Sequence, residues 1–117
     1  MGGDKKYDLS ERLEDFSAEI IQLYNGKAVS FAERYLAEQL IRSACSAALN
    51  YGEVLGAGTN KDKINKLRIC LKELRESLHN LNIQTKASLI DESLLIGLKD
   101  ENDQLIRIIV TRIKNLG

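Results

Sequence analysis

Proline is absent from this sequence, and aromatic residues make up only 5% of it. Nothing therefore interrupts a long helix, and the enrichment that marks β-strands is missing. There is one histidine, His79, too few for the clustered imidazoles of most metal centres. The two cysteines, Cys45 and Cys70, stand far apart and inside helical patterns, so they read as buried free thiols rather than a redox or metal motif. Charge of one sign is not in excess: seventeen basic residues cancel seventeen acidic ones, which removes the global attraction to nucleic acid of a strongly basic domain. Any nucleic-acid binding must come from a local patch. No apolar run approaches the ~18 residues of a membrane span, and no apolar stretch follows the amino-terminal charges as it would in a secretory signal. The expected location is cytoplasmic, with no membrane partner.

What remains is an ordinary globular balance, 44% hydrophobic and 29% charged, over 117 residues. That length suits one domain, 1–117, large enough to bury a core without disulfides or a structural metal. Residues 1–7 read as a flexible leader. Gly2 does not start a myristoylation motif, because position 6 is Lys where Ser or Thr is needed.

Four amphipathic segments follow, separated by three short breaks. Asp8-Leu9-Ser10-Glu11 opens the first as an acidic capping box, and Leu9, Leu13, Phe16, Ile20 and Leu23 recur at steps of four and three. Asn25-Gly26 ends it, both residues tolerating the left-handed conformation of a C-terminal cap. Ser30-Phe31-Ala32-Glu33 is a full capping-box match for a second helix to about Leu55, with Leu40, Ala44, Ala47, Ala48 and Tyr51 inward. Thr59 or Asn60 caps a third, whose seam is Ile64, Leu67, Leu71, Leu74, Leu78 and Leu81. Asn82 to Ser88 reads as a polar connection, and a fourth helix from about Asp91 follows Leu95, Leu98, Asn102, Leu105, Ile109, Ile113 and Leu116. The fold class this predicts is all-α, an antiparallel up-down-up-down four-helix bundle.

Two motifs invite chemistry. Glu76-x-x-His79 spells the ligand pair of ferritin-like di-iron bundles, the basis of a remote metal-binding oxidoreductase reading. Such a site needs two copies of that pair and inward glutamates, however, whereas Glu76 and His79 fall away from the leucine seam. Gly52 to Thr59 carries glycines before a helix start but lacks the Gly-Lys-Ser/Thr ending of a phosphate loop and reads as a turn. No catalytic residue, cofactor, metal site or small-molecule substrate is implied.

Charge distribution is more informative. Asp8 to Tyr24 holds five acids and one base, whereas Lys61 to His79 holds six Lys or Arg and three acids. Lys61, Arg68, Lys72 and Arg75 fall within roughly 60° on a helical wheel at ~100° per residue, with His79 at the end of the stripe. They are the candidate phosphate contacts; the alternative is a solvated face, or a salt-bridging partner for an acidic helix. In the fourth helix Ile106 and Val110 lie to one side of the seam and Ile108 to the other, more apolar surface than one internal seam covers, so these three are the candidate oligomer interface.

The run from Leu40 to Glu53, Leu-Ile-Arg-Ser-Ala-Cys-Ser-Ala-Ala-Leu-Asn-Tyr-Gly-Glu, carries a further signal, together with Asn60-Lys61-Asp62-Lys63 and Leu71-Lys72-Glu73-Leu74-Arg75-Glu76-Ser77. These stretches resemble the four-helix-bundle proteins encoded in intervening sequences of bacterial 23S ribosomal RNA genes, and the likeness extends over nearly the whole chain. An aromatic Tyr-Trp pair common in those proteins is replaced here around Leu78, His79 and Asn80. Related accessory proteins of diversity-generating retroelements form ring-shaped pentamers with a basic nucleic-acid-binding surface. The resemblance implies a non-enzymatic homo-oligomer, a pentamer by that comparison, with structured RNA or a ribonucleoprotein as partner. A protein-interaction scaffold that touches no nucleic acid is the alternative.

Overall fold

A computed structural model describes residues 8–117. The expectations for the leader 1–7, Gly2 included, lie outside the described residues. Four helices follow in order, α1 (Leu9–Tyr24), α2 (Phe31–Val54), α3 (Asn60–Lys86) and α4 (Glu92–Leu116). Each packs on its neighbours in sequence, and α4 closes back on α1, so that α1 and α3 stand at diagonal corners. The result is the all-α, antiparallel four-helix bundle that the periodicity predicts.

The caps explain where the helices start. Asp8 accepts a hydrogen bond from the Ser10 amide at 3.0 Å. At the head of α2, Ser30 Oγ accepts from the Glu33 amide at 3.1 Å while Glu33 accepts from the Ser30 amide at 2.8 Å, a complete capping box. The Ser30 amide, with that of Val29, holds the Glu33 carboxyl below its usual value. Thr59 caps α3 through the Asp62 amide, and Asp91 caps α4 through the Ser93 amide.

The ends differ more from expectation. Gly26, at φ +79, takes the left-handed position after α1. Helix α3 does not stop at Asn82 but runs to Lys86, so most of the expected polar connection is helical. Its stop is a Schellman motif: the Leu89 amide donates to Gln84 O at 3.1 Å and the Ser88 amide to Thr85 O at 3.1 Å. Ser88 occupies the left-handed position at φ 56 where glycine is usual.

The core contains Leu9, Leu13, Phe16 and Ile20 of α1, Leu40, Ala44, Ala47 and Tyr51 of α2, Leu67, Leu74 and Leu81 of α3, and Leu95, Leu98, Leu105 and Ile109 of α4. On α3 the buried face is rotated from the leucine seam. Ile64, Leu71 and Leu78 are half-buried, whereas Cys70, Glu73, Ser77, Asn80 and Gln84 are buried. These polar groups are satisfied by partners. Ser43 and Ser77 hydroxyls meet at 2.8 Å between α2 and α3. A chain of bonds then crosses three helices: Tyr24 Oη donates to Gln84 Oε1 at 2.8 Å, Gln84 Nε2 to Asn80 Oδ1 at 2.7 Å, and Asn80 Nδ2 to Leu36 O at 3.0 Å. From α4, buried Asn102 donates to Leu74 O at 3.0 Å and accepts from the Leu78 amide at 3.2 Å, in the amide orientation that satisfies both. Cys70 is buried and Cys45 half-buried, both free thiols. Desolvation, helped by nearby Glu73, pushes the Cys70 thiol up to about 12, which leaves it inert as a nucleophile.

Helix α1 has 16 residues against 24, 27 and 25 in the others. Among the described residues only α2, α3 and α4 extend past its first turn. There Arg112 of α4 donates to Tyr51 Oη at 2.6 Å, beside a recess lined by Val54, Leu67 and Leu116.

Candidate nucleic-acid interface

An α-helix places residues separated by seven, or by eleven, nearly in line. Lys61, Arg68, Lys72 and Arg75 obey that rule, and all four are exposed along the outer face of α3. His79 continues the line and is exposed as well. Because α3 runs to Lys86, that exposed lysine joins the stripe eleven residues beyond Arg75, and the row extends for ~38 Å at 1.5 Å per residue. The sequence reading missed Lys86 only because it ended the helix too early.

What makes the row unusual is its lack of counter-charge. Among the described residues none of Lys61, Arg68, Lys72 and Arg75 stands within ion-pairing distance of a carboxylate, whereas Lys66 on another face is bridged to Glu53. Two of the three acids of α3 are turned elsewhere. Glu73 and Glu76 point towards α2, where Arg42 binds them at 3.3 and 2.7 Å. The acidic α1 stands at the diagonal corner, so it cannot neutralise the row within the same chain. A cationic line with no internal partner can take phosphates without first breaking an ion pair.

The other singled-out residues fall as follows. Glu76 and His79 are exposed, with Glu76 engaged by Arg42, and among the described residues no group of three or more His, Cys, Asp or Glu gathers to hold a metal. Gly52 lies inside α2, and the turn between α2 and α3 is only Leu55 to Thr59. Ile106, Ile108 and Val110 are half-buried, and Ile106 and Ile108 pack against the core. At ~100° per residue Ile106 and Val110 fall to the side of α4 from which Asn102 reaches α3, and Ile108 to the side from which Glu101 reaches α1. The most exposed large apolar side chains are others: Phe31, Val29, Leu49 and Leu55.

The profile of the 23S rRNA-intervening sequence protein family matches residues 5–111, a span that includes the whole α3 row. The chain belongs to this family. A crystal structure of a protein of unknown function from the S23 ribosomal protein family, from Bacteroides thetaiotaomicron, superposes with a TM-score of 0.81. It shares 23% identity and covers 92% of this chain and 99% of its own, a likeness of fold. Among curated proteins none matches the chain. Among the described residues no helix is long and apolar enough to cross a membrane.

Proposed function

We propose that this 23S rRNA-intervening sequence protein is a non-enzymatic, cytoplasmic homo-oligomer that contacts structured RNA or a ribonucleoprotein through phosphates along α3. The observation that carries the reading is the uncompensated row Lys61, Arg68, Lys72 and Arg75, extended by Lys86. A straight line of flexible cations recognises backbone charge rather than base edges, so little sequence preference is expected. The subunit number we propose is five, by the resemblance to the retroelement accessory proteins. Ile106, Ile108 and Val110 remain candidate contacts in that assembly through the half of each side chain that the bundle leaves uncovered.

The test is RNA binding measured against salt. Four displaced counterions correspond to a slope of log K on log salt of roughly −3 to −4, and replacing all four residues by Gln should abolish most of the affinity and flatten that slope. Unchanged binding by the fourfold variant would remove the row from the interface. The second reading, a protein scaffold, is favoured by the cancelled net charge and the exposed apolar side chains of α2. No binding of RNA at low salt would select it.

A further inference from the structure

Helix α2 carries a second row on its outer surface, Tyr35, Arg42 and Leu49, at the seven-residue spacing of a coiled-coil seam. Helix α3 carries another, Ile69, Glu76 and Ile83, at the same spacing. The Arg42–Glu76 ion pair at 2.7 Å fixes the level of one row against the other. Because the helices are antiparallel, Tyr35 then stands level with Ile83 and Leu49 with Ile69, each rung ~10.5 Å from the ion pair. All four apolar members face solvent in the single chain, at 53%, 51%, 72% and 40% exposure for Tyr35, Ile83, Leu49 and Ile69. Phe31, stacked on Tyr35 with centroids 6.3 Å apart, lengthens the apolar end of the α2 row.

We propose that these rows are a subunit contact, in which a second copy of this chain lays its α3 row, Ile69, Glu76 and Ile83, along the α2 row, Tyr35, Arg42 and Leu49, of the first. The inference rests on the homo-oligomeric reading above and names the surface that assembles. Charge complementarity selects the occupant. The α2 row reads apolar, cation, apolar, and its complement must read apolar, anion, apolar at the same spacing, which is the α3 row of the same sequence. A basic or acidic peptide of one sign would meet a like charge at the centre of the α2/α3 face, which holds both. Arg42 is already paired with Glu73 and Glu76, so covering the centre leaves no lone buried charge. The pairing serves a two-fold contact, in which it is made twice, and equally a ring, in which each copy offers α2 to one neighbour and α3 to the other.

Light scattering on the full chain at micromolar concentration tests it. The unmutated protein should show a mass at least twice the 13.1 kDa of one chain. Leu49→Glu and Ile69→Glu should each reduce it to one chain with helical circular dichroism unchanged, whereas Ile96→Glu, intermediate between them in exposure but on α4, should not. Arg42→Glu and Glu76→Arg should each dissociate alone, and mixing the two should bring back a mass of at least two chains, because each supplies the charge the other row now needs and unlike variants pair. An oligomer that survives both Leu49→Glu and Ile69→Glu would overturn the surface and leave the oligomer standing. A monomeric unmutated protein would overturn both. A mixture that stays at the mass of one chain would overturn the pairing of rows.

Discussion

Tyr24 joins α1 to α3, across the diagonal of the bundle, by one hydroxyl. Its Oη donates to Gln84, which is itself committed to Asn80 and through it to the backbone of α2. Tyr24→Phe keeps the ring and strands a buried acceptor, so a loss of ~1 to 3 kcal/mol in urea unfolding is expected. Burial raises the Tyr24 phenol above its ordinary value. Since the folded-state value is the higher one, the stability linked to this group is fully present below the unfolded value near 10 and is lost as pH rises through the folded one. The gap between wild type and Tyr24→Phe should therefore narrow above about pH 10. A constant gap would mean that the phenol ionises equally in both states. None of this network was legible in the sequence, because Gln84 and Asn80 look like surface residues until a partner at a distant position is known. Leu67 and Leu74 were legible, since apolar periodicity alone places them inside.

At the scale of the element, capping chemistry was read well at the starts of α2, α3 and α4, less well at α1, where Asp8 accepts from the Ser10 amide without the reciprocal Glu11 bond of a capping box, and poorly at one end. Ser30 and Glu33 satisfy each other as their spacing predicts, and Asn25-Gly26 stops α1 with a residue that accepts positive φ. The end of α3 carried no such signal, because a serine fills the left-handed position that glycine normally marks. Ser88→Gly removes the Cβ clash of that conformation, and the gain should be ~0.5 to 1 kcal/mol after the extra freedom of glycine in the unfolded chain is subtracted. Thermal unfolding would show it as a rise in midpoint, and a fall would mean that the Ser88 side chain contributes something beyond its backbone. The rotated face of α3 was hidden for a related reason. The helix packs against α2 through Ser77, Asn80 and Glu73 and against α4 through the leucines, and a hydrophobic count sees only the second face. The cationic row needed no such knowledge, since exposed charges at helical spacing are visible in sequence, and only its last member depended on where α3 stops.

For the whole molecule, antiparallel order follows from four segments and short connections, and the diagonal placement of α1 and α3 follows from that order. This separates the acidic helix from the basic one, so opposite sides of the molecule carry opposite charge, an arrangement that no net-charge figure reveals. The brevity of α1 has another outcome. A helix of 16 residues, fastened mainly to α2, meets α4 along a shorter seam marked by the Arg12–Glu101 pair. It can peel away while α2, α3 and α4 keep most of their mutual burial, whereas no other helix can leave so cheaply. In native-state hydrogen exchange the amides of α1 should therefore trade for deuterium first, as one cooperative unit, with the centres of α2 and α3 slowest. Equal protection across all four helices would show a molecule that opens only as a whole. If α1 does exchange first, the protein spends a small, measurable fraction of its time as a three-helix intermediate with Leu9, Leu13, Phe16 and Ile20 open to water, and that fraction sets how fast a protease can begin to cut it.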